Sequence, residues 1–148
     1  MSTEDLEPST LLFDVWVLAN STRALLDRAL RASGLNAEEF AQYSAIRQAG
    51  SITPTELAAI MGLAPTTISS SLARLEDRGH IRRAPSPTDA RSHQIQLTPA
   101  GLRAHRHAAQ LFAPVLHDVK SAISMSVADA QTALAALSAA VAAAIEPR

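Results

Sequence analysis

The stretch from Ser51 to Gly101 constrains the fold of this chain most, because it combines two short helices, a hairpin and the start of a further helix. The run Thr53-Pro54-Thr55-Glu56 opens the first helix with capping-box spacing and with a proline at the first helical position, where no N–H is needed. Gly62 ends this helix, and a second one runs from Pro65 to about Arg78, before Gly79. Two short helices joined by a tight glycine-containing turn predict a helix-turn-helix.

The second helix has two different sides. Ile68, Leu72 and Leu75 recur at spacings of four and three, which predicts a stripe that faces a core. The other side carries hydroxyl groups and cations, from Thr67, Ser70, Ser71, Arg74 and Arg78. A helix that lies in a DNA major groove needs such a surface, small enough to fit and able to contact phosphates and base edges. The alternative is an ordinary amphipathic helix with a solvated side.

A β-hairpin follows the second helix. His80-Ile81-Arg82-Arg83 predicts a short strand, and Gln94-Ile95-Gln96-Leu97 alternates polar and apolar residues like its partner. Arg91 is the cation near the tip of the polar loop between them, where a narrow minor groove would attract a guanidinium. Asp89 can hold Arg91 in one orientation, or the two form a surface ion pair worth ~0–1 kcal/mol. A helix-turn-helix followed by a hairpin predicts a winged helix.

The segment LEDRGHIRRAPSPTDARSHQIQLTPAG resembles the winged-helix motif of the multiple-antibiotic-resistance regulator (MarR) family. The matching pieces are Leu75-Glu76 with Gly79, Ile81 with Arg83, Asp89 with Arg91, and Leu97-Thr98 with Gly101. Helical flanks of suitable length extend the resemblance over nearly the whole chain. It implies a mainly α fold with a small β-hairpin wing: a winged helix-turn-helix with N- and C-terminal dimerisation helices.

The resemblance also implies which residues contact DNA. The second helix would enter the major groove with Pro65, Thr66, Thr67, Ser69, Ser70 and Arg74. Asp89 and Arg91 of the wing would contact the minor groove, and Ser92 and His93 lie beside them in the same loop. This sequence departs from the family pattern at Ser70, where a basic residue is frequent, and at Ala90, where a second arginine is common. We therefore expect either a lower affinity or a larger contribution from other contacts.

Charge is segregated along the chain, although the net charge is only −1. Residues 1–64 hold 4 basic and 8 acidic side chains, whereas residues 65–107 hold 7 arginines and 3 acids. The positive segment coincides with the predicted DNA-contacting residues, as an electrostatic footprint requires. The absence of cysteine excludes disulfides and thiol-based sensing. Because no signal peptide or long apolar run stands at the N-terminus, we expect a cytoplasmic protein without a membrane partner.

Helical patterns flank the predicted winged helix on both sides. We expect a disordered N-terminus at 1–8, a helical dimerisation region at 9–35 and 99–148, and a DNA-binding region at 36–98. The terminal helices carry more apolar residues than a small winged helix can cover, and Pro114 predicts a kink or local irregularity in one of them. A second copy of the chain would bury this apolar surface; the alternative is a self-contained helical bundle.

Other kinds of chemistry have little support. His105 and His107 point to different sides of a helix, so we expect no metal site, and histidines that face solvent or DNA are favoured. No glycine-rich phosphate loop and no supported Ser/His/Asp set is present, so we expect neither an enzyme nor a cofactor. Trp16 and Tyr43 could line a pocket for a small phenolic or lipophilic effector, as the resemblance implies, but core packing is favoured for each.

These observations predict a homodimeric DNA-binding transcriptional regulator. Two recognition helices about one DNA turn apart would read a pseudo-palindromic operator. By resemblance the protein would most often repress transcription and would be released by a small-molecule ligand. Two alternatives stay open: a winged-helix module for protein interaction, and a DNA-binding protein that responds to no ligand.

Overall fold

The computed structural model of the protein describes residues 10–85 and 93–145. Six helices and one hairpin follow in the order α1 Thr10–Leu30, α2 Ala37–Ala49, α3 Pro54–Met61, α4 Pro65–Asp77, β1 Ile81–Pro85, β2 His93–Leu97, α5 Pro99–Ala122 and α6 Val127–Ile145, with a short 3₁₀ turn at Arg31–Ser33. The predicted mainly α fold with a small hairpin is confirmed. Two compact units divide the chain between Phe112 and Ala113.

Side-chain caps set the starts of α2, α3, α5 and α6. Capping boxes join Asn36 to Glu39 at α2 and Thr53 to Glu56 at α3, the second as the sequence predicted. The N–H and hydroxyl of Thr53 also hold the pKa of Glu56 below its ordinary value. Thr98 accepts the Gly101 N–H at α5, and Ser126 accepts the Asp129 N–H at α6. These local hydrogen bonds explain why the helix starts could be predicted from sequence.

The hairpin lies beside the helix-turn-helix. Strands β1 and β2 pair antiparallel, with Ile81 opposite Leu97 and Pro85 opposite His93. Ile52 adds an isolated antiparallel bridge to Ile95 of β2. Beyond β1 and β2, the backbone N–H of Thr98 donates to the His80 carbonyl at 3.0 Å. The wing is therefore tied at its base to α3 and α5.

Apolar side chains from α1 to α5 and both strands form the core of the first unit. The buried members are Leu30, Leu35, Tyr43, Ile46, Ile52, Leu57, Ala58, Ile68, Leu72, Leu75, Ile81, Ile95 and Ala108. The predicted inward stripe of α4 is confirmed, since its three members are fully buried. Gly101 lets α5 approach the backbone before β1, because a Cβ there would overlap the His80 carbonyl oxygen.

The terminal helices expose apolar side chains. In α1 these are Leu11, Leu12, Phe13, Trp16, Val17, Leu18 and Leu25, and in α6 they are Val127, Leu134, Val141 and Ile145. Helix α5 continues through Pro114 to Ala122. By length and composition alone α6 could cross a membrane. A single such helix is weak evidence, since helices of soluble proteins meet the same criterion. The expected disorder of residues 1–8 lies outside the described residues.

Candidate nucleic-acid interface

The solvent-facing side of α4 brings the predicted major-groove residues together. Pro65, Thr66, Thr67, Ser69, Ser70 and Arg74 are all exposed on this one helix. We call them the α4 outer face. The first turn of α4 contains no acid, and its N-cap residue Ala64 supplies no side-chain acceptor. The first-turn N–H groups and the positive end of the helix dipole are therefore available to an anion such as a phosphate.

Two residues predicted for this side of α4 instead bond to side chains of α2. Ser71 is 1% exposed, and its hydroxyl donates to Gln42 Oε1 at 2.7 Å. The prediction for Ser71 is wrong because its Cβ points at α2, which offers an amide that the helical pattern of α4 alone could not reveal. Arg78 is exposed, but its Nη1 lies 3.1 Å from Glu39 Oε1 of α2. Its charge is thus directed at the protein.

Arg74 is the cation that stays directed outward. Within the described residues it forms no ion pair. Its neighbours on the same side are small hydroxyl groups, and Ser70 Oγ donates back to the Thr66 carbonyl at 3.0 Å. That bond leaves the lone pairs of the Ser70 hydroxyl free to accept. The α4 outer face therefore offers one guanidinium and several adaptable hydroxyl groups.

The wing carries two arginines whose partners are known. Arg82 Nη2 donates to Gln96 Oε1 at 2.7 Å across the hairpin. Arg83 Nε lies 3.0 Å from Glu76 Oε2, which joins β1 to the last turn of α4. His93 is exposed at the start of β2. The predicted wing-tip residues Asp89, Arg91 and Ser92 lie outside the described residues, so their roles remain predictions.

The two aromatic residues proposed for a ligand pocket lie in different environments. Tyr43 is fully buried in the core, which favours the packing alternative, and its hydroxyl lies 2.7 Å from His80 Nδ1. Burial and the charge of Glu39 raise the pKa of Tyr43 to about 12. Trp16 is 65% exposed on α1 and stacks on Phe13, so it is not a core residue of the described chain.

An open groove of about 380 Å³ lies elsewhere in the first unit. Its lining consists of Ala49, Ser51, Ile52, Glu56, Ala59 and Ile60 and includes neither proposed aromatic residue. The lining is mostly apolar, and its one carboxylate disfavours an anionic ligand. The groove thus gives no support to an effector that carries a negative charge.

His105 is buried, contrary to the expectation that the histidines face solvent or DNA. It stacks on Phe40, and its Nε2 lies 3.0 Å from Ser44 Oγ. Because the Ser44 hydroxyl donates to the Phe40 carbonyl, it accepts from an Nε2–H of His105. Burial, and then the charge of Arg47, lower the pKa of His105. Within the described residues no cluster of ligands suitable for a metal ion occurs.

The structure also brings forward residues that sequence reasoning did not connect to the site. Glu39, Gln42 and Tyr43 of α2 each bond to α4 or to the segment directly after it. Glu39 also completes the capping box of α2 with Asn36, which is a local contact. A pairing between separate helices leaves no periodic signal, so the other bonds required the structure.

Comparison with known proteins agrees with this geometry. A model of the MarR family matches residues 33–92. The multiple antibiotic resistance protein MarR of Salmonella typhimurium is 32% identical over 87 residues, which are 59% of this chain and 60% of that protein. The HTH-type transcriptional regulator PecS of Dickeya dadantii is 31% identical over 100 residues, 66% of this chain and 60% of PecS. The chain thus spans about 60% of the length of these relatives.

Solved structures match over more of the chain. The M. tuberculosis transcriptional regulator MOSR in complex with DNA has a TM-score of 0.78 at 28% identity and covers 91% of this chain and 98% of its own. A mutant E. coli MarR complexed with operator DNA has a TM-score of 0.76 at 26% identity and covers 87% and 94%. The fold is that of a winged helix-turn-helix protein. The family match and these likenesses together make the chain similar in sequence and fold to regulators of the MarR family. The relatives named here are regulators and not enzymes, as the sequence predicted.

Proposed function

We propose that this protein is a cytoplasmic transcriptional regulator that binds an operator as a homodimer, with α4 in the major groove. The observation that carries the proposal is the α4 outer face, which is exposed, free of acid and composed of short hydroxyl side chains around Arg74. Such a surface suits direct contact with base edges and phosphates. The DNA complexes of the similar regulators MOSR and MarR support the same proposal.

The homodimer is supported by the exposed stripes of the terminal helices. Leu11, Leu18 and Leu25 recur every seven residues along α1, and Val127, Leu134 and Val141 do so along α6. Apolar residues at seven-residue spacing form a continuous seam for helix packing. A second copy of the chain supplies such a partner, and a twofold dimer fits an operator with two similar half-sites.

Repression, and its relief by a small phenolic or lipophilic effector, complete the proposal. Both rest on the family resemblance. A ligand that binds the free dimer more tightly than the DNA-bound dimer would shift the population toward free protein. A screen of small aromatic compounds against the operator complex tests this part. If no compound changes the affinity, a regulator that responds to no ligand becomes the better reading.

The deciding experiment is a binding titration of purified protein against genomic DNA fragments, including its own upstream region, at about 50 and 200 mM salt. We expect tight binding to one pseudo-palindromic site, weaker binding elsewhere and a steep loss of affinity at the higher salt. Weak binding that is alike for every fragment and insensitive to salt would replace the proposal with a protein-interaction module. Arg91→Ala should lower operator affinity by about 1–3 kcal/mol and leave the dimer intact.

A further inference from the structure

One side of α2 forms polar bonds at three points with α4 and with the residues directly after it. Gln42 Oε1 accepts the Ser71 hydroxyl at 2.7 Å in the middle of α4. Glu39 Oε1 lies 3.1 Å from Arg78 Nη1 at the C-cap of α4, and the Tyr43 hydroxyl lies 2.7 Å from Nδ1 of the histidine that precedes β1. Residues 39, 42 and 43 are spaced by three and four, so they lie on one side of α2.

The partners on α4 also share one side. Ser71 and Arg78 are seven residues apart, which is close to two helical turns. Bonds at both positions fix how far α4 is rotated about its own axis and how far it is shifted along that axis. The apolar stripe of α4 determines which side of the helix faces the core, but it leaves smaller rotations and shifts open, because apolar burial is non-directional. A rotation by a fraction of the roughly 100° between successive residues would already move Arg74 relative to the bases that it could contact.

The central bond, between Gln42 and Ser71, lies inside the core. Gln42 and Ser71 are 0% and 1% exposed. Replacing both members of a buried hydrogen-bonded pair with apolar groups of similar shape is often nearly neutral, whereas removing one member leaves the other unsatisfied. A buried polar pair can instead specify one register of packing.

We propose that Gln42 and Tyr43 are positioning residues for DNA recognition: they set the rotation of α4 and thereby select which side chains of the α4 outer face meet the bases. The inference rests on the proposed function. Neither residue reaches DNA itself, since both side chains are fully buried. Their effect is on the preference for the operator over other DNA, because phosphate contacts depend less on the rotation of one helix than base contacts do.

A double-mutant cycle tests the proposal. Gln42→Leu, Ser71→Ala and the double variant are each measured for unfolding in urea and for binding to operator and to unrelated DNA. We expect each single variant to lose stability and the double variant to regain most of it. In the double variant operator affinity should remain about tenfold weaker, comparable to the loss of one base contact. Its affinity for unrelated DNA should stay within about twofold of wild type.

Two further variants separate positioning from packing. Tyr43→Phe keeps the buried ring and removes only the hydroxyl, so it should also lower the ratio of operator to unrelated affinity. Leu72→Met is the matched control, a volume-conserving apolar swap in α4 that touches no polar bond. We expect the control to keep the wild-type ratio.

The outcomes separate this inference from the function beneath it. If wild-type protein prefers no site, the proposed function fails, and the positioning role fails with it. If wild type binds an operator and the double variant matches it at restored stability, the positioning role alone is overturned. A double variant whose operator and unrelated affinities fall by the same factor would also overturn it, because the pair would then act on folding and not on recognition.

Discussion

Arg74 tests the proposed interface most directly, because its guanidinium is directed outward and has no ion pair within the described residues. We predict that Arg74→Ala lowers operator affinity by about 1–3 kcal/mol if the side chain contacts a base. Arg23→Ala, at an exposed arginine of α1, is the matched control and should leave operator affinity unchanged. If affinities for operator and unrelated DNA fall equally, Arg74 contacts phosphate and does not read the sequence. The measurement is a gel-shift titration on both kinds of DNA.

Gly101 makes a second residue-level prediction, for stability. A Cβ at this position would overlap the His80 carbonyl oxygen, so the backbone must move to admit it. We expect Gly101→Ala to lower the free energy of unfolding by about 2 kcal/mol, the cost of overpacking less the better helix propensity of alanine. In Gly62→Ala the added Cβ meets nothing within 4 Å, and the left-handed backbone alone costs about 1–2 kcal/mol. Urea unfolding of both variants checks the prediction, and a fully stable Gly101→Ala would contradict it.

The residues that sequence analysis placed wrongly share one physical cause. Ser71 and His105 are polar, and both were assigned to surfaces that face solvent or DNA. Each is buried because a neighbouring helix supplies its partner, Gln42 in one case and Ser44 in the other. A periodic pattern reports the side of one helix on which a residue lies. It does not report which groups the opposite helix presents.

The boundaries of α3 and α4, in contrast, could be predicted almost to the residue. Their determinants are local: a hydroxyl or amide three residues before a carboxylate, a proline at the first position, a glycine after the last. The outward direction of the α4 outer face was predicted from the pattern of the same helix, since the buried stripe of α4 determines which side faces solvent. The bonds from α2 to α4 and to His80 could not be predicted from the sequence, because they join residues far apart in the chain.

The contact between α2 and α5 predicts how stability depends on pH. Burial, and then the charge of Arg47, lower the pKa of His105. Burial, and then the charge of Arg78, also lower the pKa of His80, and the charge of Glu39 partly opposes that shift. As the pH falls below about 6.5, the unfolded chain therefore takes up protons that the folded chain does not. We predict that the free energy of unfolding decreases between pH 7.5 and 5.5.

The matched variant is His105→Gln, whose amide N–H can replace the Nε2–H that donates to Ser44. Urea unfolding of this variant should depend less on pH over the same interval, with the remaining dependence due in part to His80. Equal slopes for both proteins would show that His105 does not titrate differently in the folded and unfolded states. The interval stays above the acidic range, so Glu56 does not contribute to the comparison.

Across the whole molecule, the exposed stripes of α1 and α6 lead to a prediction about assembly. Leu134 and Val141 lie on one side of α6 and are 50% and 40% exposed in the single chain. We expect Leu134→Glu with Val141→Glu to convert a dimer into a monomer, because burying two carboxylates without partners is costly. Sedimentation over a range of concentrations measures this directly. Ile60→Glu is the control: it adds a carboxylate at an exposed apolar residue of α3 and should leave the oligomeric state unchanged.

The same variant tests whether assembly and DNA recognition depend on each other. A monomer can engage only one half-site, so operator affinity should fall by at least tenfold, and the dependence of affinity on salt should be about half as steep. Binding to an isolated half-site should be unchanged, since α4 and the wing strands are intact. If wild type proves monomeric and yet binds one pseudo-palindromic site tightly, α6 requires another partner. If the variant stays dimeric, the dimer interface is formed by other residues. The apolar stripe of α1 should then be substituted next, at its central residue Leu18.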